Sequence, residues 1–304
     1  MEIITIDKNF VAKENTFIAL GNFDGVHTAH KILLKKLVEE AKLNGYKSSI
    51  LIFKSHTKNL IFKQEQRLLT SNEQKYKLLK EIGIDIIYEL EFNKIVMTMD
   101  PDDFIKKLLL KHLKVKGIVV GFDYRFGHKA SGNTELLKQR SLEENFKLFI
   151  INPVEKNGKI ISSTSIRELI KNGQIKLANE FLGYNFTMNG VVINGKNLGS
   201  KMGFPTANIK TDVNYEIPKF GVYDTNIEIN GKSYRAATNI GKNPTIENSG
   251  LRIEAFILDF NEDIYGKSVQ LSLLDFIREE ENFDNIDDLF AQIKLDVDYI
   301  KTRL

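Results

Sequence analysis

The first half of the chain alternates short apolar runs with longer amphipathic stretches. TFIAL (16–20), SSILIF (48–53), GIDIIYEL (83–90), GIVVGF (117–122) and FKLFII (146–151) are rich in β-branched and aromatic residues and are bounded by polar or glycine positions. Runs of that length and composition predict buried strands. Between the first two, KILLKKLVEEAKLNG places Leu33, Leu34, Leu37, Val38 and Ala41 on one helical face, with Asn44-Gly45 as a stop signal. A second helix is expected around residues 76–79. A third is expected over DPDDFIKKLLLKHL, whose first turn is acidic and complements a helix dipole. Strand and helix in alternation predict an α/β fold with a parallel sheet and right-handed crossovers.

The pattern changes near Gly183. Before it, SIRELIKNG and IKLANEFLG read as two short helices. After it come mostly short strands: GVVIN, GVYDTNIEI, YRAATNI, RIEAFILDF and VQLSLLDFI, with Asn230-Gly231 as a hairpin turn between two of them. The last segment, NIDDLFAQIKLDVDYI, aligns Ile286, Leu289, Phe290, Ile293, Val297 and Ile300 in a stripe suited to packing on that β-domain. The expected division is therefore an α/β domain over residues 1–183 and an antiparallel β-barrel with a C-terminal helix over residues 184–304.

Composition narrows the function class. With 304 residues, of which 42% are hydrophobic, the chain can fill packed cores. A net charge of +3 makes no whole-chain case for nucleic acid. Basic residues outnumber acidic ones up to Gly183 and the balance reverses beyond it, so the first half suits an anionic substrate such as a nucleotide. The chain has no cysteine, which excludes disulfides and thiolate chemistry. MEIITIDKNF lacks a signal-peptide core, and no apolar run approaches bilayer length. These features predict a cytoplasmic protein, monomeric or weakly self-associating, without membrane or nucleic-acid partners.

The stretch GNFDGVHTAH (21–30) follows the first predicted strand and opens the first predicted helix. Ligands of open α/β sheets sit at the carboxyl ends of strands. Gly21 allows backbone to approach a ligand, and the helix beginning near His30 offers its positive end to an anion. His27 and His30, three apart, can share a face and stabilise charge on a phosphate. Neither the P-loop string nor a G-x-G-x-x-G fingerprint is present. The stretch resembles the G-x-F-D-G-x-H-x-G-H signature of HxGH-type nucleotidyltransferases, as in bacterial FAD synthetases, with Ala29 where the family has glycine. On that resemblance Gly21, Asp24 and Gly25 bind ATP phosphate and both histidines are catalytic. GFDYRFGHKASGN (121–133) looks like the family's loop after the fourth strand, which places Asp123 and Arg125 near the flavin. SSTSIR (162–167) resembles its S-S-T-x-I-R, which offers Ser163, Thr164 and Arg167 to ATP; the same residues read equally as a plain helix start, with Ser165 and Glu168 forming a capping box. The family's T-F-x-P-H-P is reduced to IFKSHTK, which keeps Phe53 and His56 but neither proline.

GKNLGSKMGFPTANI (195–209) is a second unusual stretch. Gly195, Gly199 and Gly203 allow close approach to phosphate. Pro205 fixes the backbone before Thr206 and Asn208, hard oxygen donors on an expected rigid turn that suit Mg²⁺ bound with ATP phosphates. Glu254 is the one carboxylate within the apolar run RIEAFIL, a position costly unless paired, used as a general base, or turned to water at an edge. These residues resemble the riboflavin kinase domain, G-x3-G-x3-G-F-P-T-A-N, and the match continues through GVYDTNI, ATNIGKNPT and IYGKSVQLSLLDFIREEENF. It implies a Greek-key barrel, Glu254 as base, and flavin contacts from Arg278 and Phe283. Together the two resemblances point to the bifunctional prokaryotic riboflavin kinase/FMN adenylyltransferase family: a Rossmann-like domain joined to a kinase barrel, using ATP, Mg²⁺ and riboflavin, FMN and FAD as substrates and products. The alternatives are a nucleotidyltransferase for another acceptor, a kinase with an impaired adenylyltransferase, and a non-catalytic flavin-binding regulator.

Overall fold

The computed structural model describes residues 1–7, 9–53, 66–91, 93–194, 205–211, 213–242, 251–283 and 285–303. The chain divides into two compact units, Met1–Gln66 with Asn72–Ser162, and Arg67–Ser71 with Ser163–Leu304.

The first unit is built on six parallel strands: β1 (Glu2–Ile6), β2 (Thr16–Leu20), β3 (Lys47–Phe53), β4 (Ile86–Leu90), β5 (Val115–Gly121) and β6 (Lys147–Ile151). Their spatial order is β1-β4-β3-β2-β5-β6. The five expected strands form, TFIAL with the ends expected and the other four with ends shifted by one to three residues, and β1 is an addition. As an edge strand it is mostly exposed, so EIITI lacks the continuous apolar run of a central strand. The central strands are covered on both faces. Ile18, Leu20, Tyr88 and Val120 pack into one cluster, and Phe17, Ala19, Ile50 and Ile87 pack into another with Leu34 and Leu37 of α1 (Thr28–Leu43). α2 (Asn72–Ile82) follows β3, and a helix over Pro101–Asp103 continues with π-type hydrogen bonding through Phe104–His112. From β2 the chain steps outward to β3 and β4, then returns to the other side of β2 for β5 and β6. The carboxyl ends of β2 and β5 therefore flank the point where the winding direction reverses, which is where open α/β sheets bind ligands.

The first unit also holds a two-stranded hairpin, β7 (Glu155–Lys156) with β8 (Lys159–Ile160). The strands of the second unit are β9 (Thr187–Ile193), β10 (Thr206–Lys210), β11 (Gly221–Ile229), β12 (Lys232–Lys242), β13 (Leu251–Ile257) and β14 (Ser268–Arg278), which close into an antiparallel barrel in the order β10-β13-β12-β11-β14-β9. β11, β12 and β13 form a meander and β14 returns beside β11, which is Greek-key order. Asn230 and Gly231 join β11 to β12 with φ of 51° and 77°, the backbone a two-residue hairpin needs. TANIK is a strand, not the rigid turn expected after Pro205. Its alternation buries Ala207 and Ile209 and turns Thr206 and Asn208 the other way.

Two helices precede the barrel, α4 (Ser163–Lys171) and α5 (Ile175–Leu182), with α3 (Thr134–Glu143) belonging to the first unit. Packing assigns α4 and α5 to the barrel unit, whereas the hydrophobic pattern changes only at residue 183. The reason is visible in their contacts. Asn179 of α5 donates to the Leu273 carbonyl at 2.8 Å and accepts from the Phe186 amide at 2.8 Å, and Lys219 donates its amide to the Ile170 carbonyl. α4 starts at Ser163, so Ser165 lies inside its first turn and not at the cap expected for it.

The C-terminal α6 (Ile286–Lys301) lays Ile293, Val297 and Ile300 against Phe256, Ala237 and Ile277, as the stripe predicts, while Leu289 is exposed. Arg278 fastens it through three hydrogen bonds to Asp296, from Nε to Oδ1 at 3.0 Å and to Oδ2 at 3.2 Å, and from Nη2 to Oδ2 at 2.8 Å. Asp296 is almost fully buried and Arg278 partly so. Asp296→Ala strands a half-buried guanidinium and is expected to cost about 2 kcal/mol, at the low end for breaking a buried pair because water reaches the arginine. Thermal unfolding checks this: a melting temperature equal to that of the unaltered protein would refute the fastening role.

Candidate active sites

In the first unit the loop after β2 is tightly wound. Gly25 has φ of 82°, a conformation open to glycine, but Phe23 at 48° and Val26 at 33° are non-glycine residues also held at positive φ. A β-branched residue in that region is strained, and such strain is sustained where the surroundings over-determine it. Phe23, Asp24, Val26 and His27 are all buried. His27 is the N-cap of α1: its Nδ1 accepts the His30 amide at 3.3 Å, which leaves the proton of the neutral ring on Nε2. The two imidazoles stack with centroids 3.6 Å apart and planes 15° from parallel, and Phe23 meets the His30 ring edge-on at 5.2 Å. The Nδ1 of His30 is occluded and has no hydrogen-bond partner among the described residues. Ala29 lies in the first turn of α1 and is not among the positive-φ residues, so alanine imposes no backbone strain there.

Burial pushes His30 well below the ordinary histidine value of 6.5, and His27 and the Lys75 ammonium add to the effect. Between that depressed value and 6.5 the unfolded chain holds a proton on His30 and the folded chain does not, so the unit loses stability as pH falls below about 6.5. His30→Ala should flatten that fall, measured as melting temperature against pH from 7.5 to 5.

The loop after β5 closes beside this one. Phe126 and Gly132 exchange two backbone hydrogen bonds at 3.1 and 2.9 Å, Tyr124 stacks on Phe126, and the Asp123 carboxylate folds back toward Gly121. Asp123 and Arg125 are exposed at the carboxyl end of β5, neighbour of β2. Gly21, Asp24, Gly25, His27, His30, Asp123 and Arg125 therefore gather around one switch point. Ser163, Thr164 and Arg167 belong to the second unit. Arg167 is buried there, donates to the Arg67 carbonyl at 3.2 Å and lies 3.7 Å from Glu216. His56, Gly195, Gly199 and Gly203 lie outside the described residues.

Lys75 of α2 had no place in the sequence reading. It is 8% exposed and donates Nζ to the Asn22 carbonyl at 3.2 Å, inside the same loop. Its helix was legible, but a lysine in EQKYKLLKE looks like any solvated one.

In the barrel, register brings the second constellation together. Asn208 of β10 sits directly opposite Glu254 of β13, which sits directly opposite Asn239 of β12. All three are half-buried on the face away from the barrel interior, as is Thr206, two residues before Asn208. Asn239 was not anticipated either; its Oδ1 is occluded and has no partner among the described residues. Of the expected flavin contacts, Phe283 is half-buried before α6, whereas the Arg278 guanidinium is engaged by Asp296.

Family models match both halves of the chain. A model described as FAD synthetase matches residues 10–165, and one described as riboflavin kinase matches residues 182–304. The bifunctional riboflavin kinase/FMN adenylyltransferase of Listeria monocytogenes is 35% identical over 286 residues, covering 93% of this chain and 90% of that protein. The chain belongs to the bifunctional riboflavin kinase/FMN adenylyltransferase family. The Escherichia coli member is 33% identical over 93% of this chain. A crystal structure from Streptococcus pneumoniae, printed as a macrolide-efflux protein, has the same fold over 98% of both chains, with a TM-score of 0.89 and 30% identity. Among the described residues no helix is long and apolar enough to cross a membrane.

Proposed function

We propose that the two constellations are separate active sites, one for each half of a bifunctional enzyme. The enzyme phosphorylates riboflavin to FMN with ATP and adenylylates FMN to FAD with a second ATP, releasing pyrophosphate. The observation that carries the assignment of residues is the presence of two chemically different groupings, imidazoles at a helix start and a carboxylate between amides, one in each unit.

In the kinase site Glu254 takes the proton of the terminal ribityl hydroxyl as that oxygen attacks the γ-phosphorus of ATP and ADP leaves. Thr206 and Asn208 present neutral hard oxygens from one face of β10, a donor set that fits Mg²⁺ shared with phosphate oxygens and water. When bound there, Mg²⁺ supplies charge neutralisation. Asn239 lies across from Glu254, so its amide can hold the carboxylate.

In the adenylyltransferase site an FMN phosphate oxygen attacks the α-phosphorus of ATP and pyrophosphate departs. No side-chain nucleophile is needed. His27 and His30, at the positive end of α1, stabilise charge on the α-phosphate, while Asp123 and Arg125 border the flavin nucleotide. In the kinase barrel Arg278 acts on the flavin only through its hold on α6.

Incubating the protein with riboflavin, ATP and Mg²⁺ and separating the flavins tests the whole reading. FMN should accumulate and convert to FAD. A reaction that stops at FMN would mean an impaired adenylyltransferase, and no conversion would mean a flavin-binding regulator.

A further inference from the structure

Among the described residues Lys75 is the most buried cation of the first unit that the chemistry above leaves unused. Its side chain crosses from α2 to the loop after β2 and delivers Nζ to the Asn22 carbonyl. An ammonium carries three donors. Among the described residues that carbonyl is its one hydrogen-bond acceptor, and no carboxylate lies within ion-pair distance, although Asp24 is near enough to attract it. A buried ammonium with one neutral acceptor is an expensive arrangement unless an anion completes it. The setting selects the anion. The loop it enters is the one that carries His27 and His30 and opens α1, and Lys75 is close enough to His30 to act on its ring electrostatically.

We infer that Lys75 is a phosphate ligand of the adenylyltransferase site, contacting an oxygen of the nucleoside triphosphate that stays with the pyrophosphate product. This rests on the assignment of that site to FMN adenylylation. Lys75 meets the triphosphate as a point charge from beneath the loop, complementary to the neutral donors of the two imidazoles. Its bond to Asn22 also ties the loop to α2, so loss of the charge must be separated from loss of the tie.

Lys75→Gln makes that separation, because an amide N–H can still reach toward the Asn22 carbonyl while the charge is gone; Lys75→Met removes both. In the full chain, FAD formation from FMN should show a KM for ATP raised at least 10-fold in Lys75→Gln, and inhibition by added inorganic pyrophosphate weakened by a similar factor. FMN formation from riboflavin in the same preparation should be unchanged. If KM for ATP and pyrophosphate inhibition stay at their original values in whichever of the two variants folds, Lys75 is a structural tie and the inference is overturned. His30→Ala, run alongside, distinguishes the two levels of failure. Undiminished FAD formation in that variant would remove the site assignment itself, whereas its loss together with an indifferent Lys75→Gln would remove only the phosphate contact.

Discussion

Glu254→Gln should lower FMN formation by about 10³-fold, within the range general bases contribute, and leave conversion of supplied FMN to FAD untouched. The substitution is isosteric and the position is a half-buried one on the outer barrel face, so the fold should survive it. Glutamine keeps the hydrogen-bonding reach toward Asn208 and Asn239 on either side but accepts no proton at neutral pH. Glu254→Asp retains the carboxylate and withdraws it by one methylene. Its loss should be smaller, about 10²-fold, as expected of a displaced catalytic group. The two rates, measured with riboflavin and with FMN as starting flavin, separate base chemistry from general damage. Full kinase turnover in the glutamine variant would eliminate Glu254 as the base.

The same strands show what could be read from residue order. The carboxylate in RIEAFIL was conspicuous because apolar residues surround it, and GFPTAN was conspicuous because proline and oxygen donors sit together. Their proximity was not legible. It depends on β10 pairing with β13 and β13 with β12, and register is a property of paired strands that no single strand reveals. Asn239 went unnoticed for that reason: within YRAATNI it is an ordinary polar residue of an alternating strand. Arg278 shows the opposite failure. It was singled out by motif position, but the acidic partner that engages it, Asp296, is contributed by the terminal helix.

In the α/β unit the sheet was legible almost strand by strand, because strands buried on both faces write themselves as apolar runs. β1 was the exception, since an edge strand buries too little to leave that trace. The affiliation of α4 and α5 was hidden for a related reason. An amphipathic helix announces that it has a partner but not which one, and Asn179 and Ile170 find theirs in the barrel.

His30→Ala should cut FAD formation by about 10²- to 10³-fold, the loss typical of removing one preorganised donor to a developing oxyanion, with FMN formation unaffected. Three features make the loss chemical. The His27 ring is capped by the backbone amide of residue 30, which alanine retains. Alanine is the best helix former, so α1 should keep its first turn. The ring removed is neutral, so no buried charge is stranded. His27→Ala differs on the first point: it deletes the cap as well, and should add about 1 kcal/mol of destabilisation to a comparable loss of rate. His30→Gln, which restores an N–H donor on a flexible stem, should recover part of the activity if donation to phosphate is the role. If glutamine and alanine are equally inactive while the melting temperature is unchanged, what matters is the aromatic stack against His27 and Phe23, and the catalytic donor must be His27 alone.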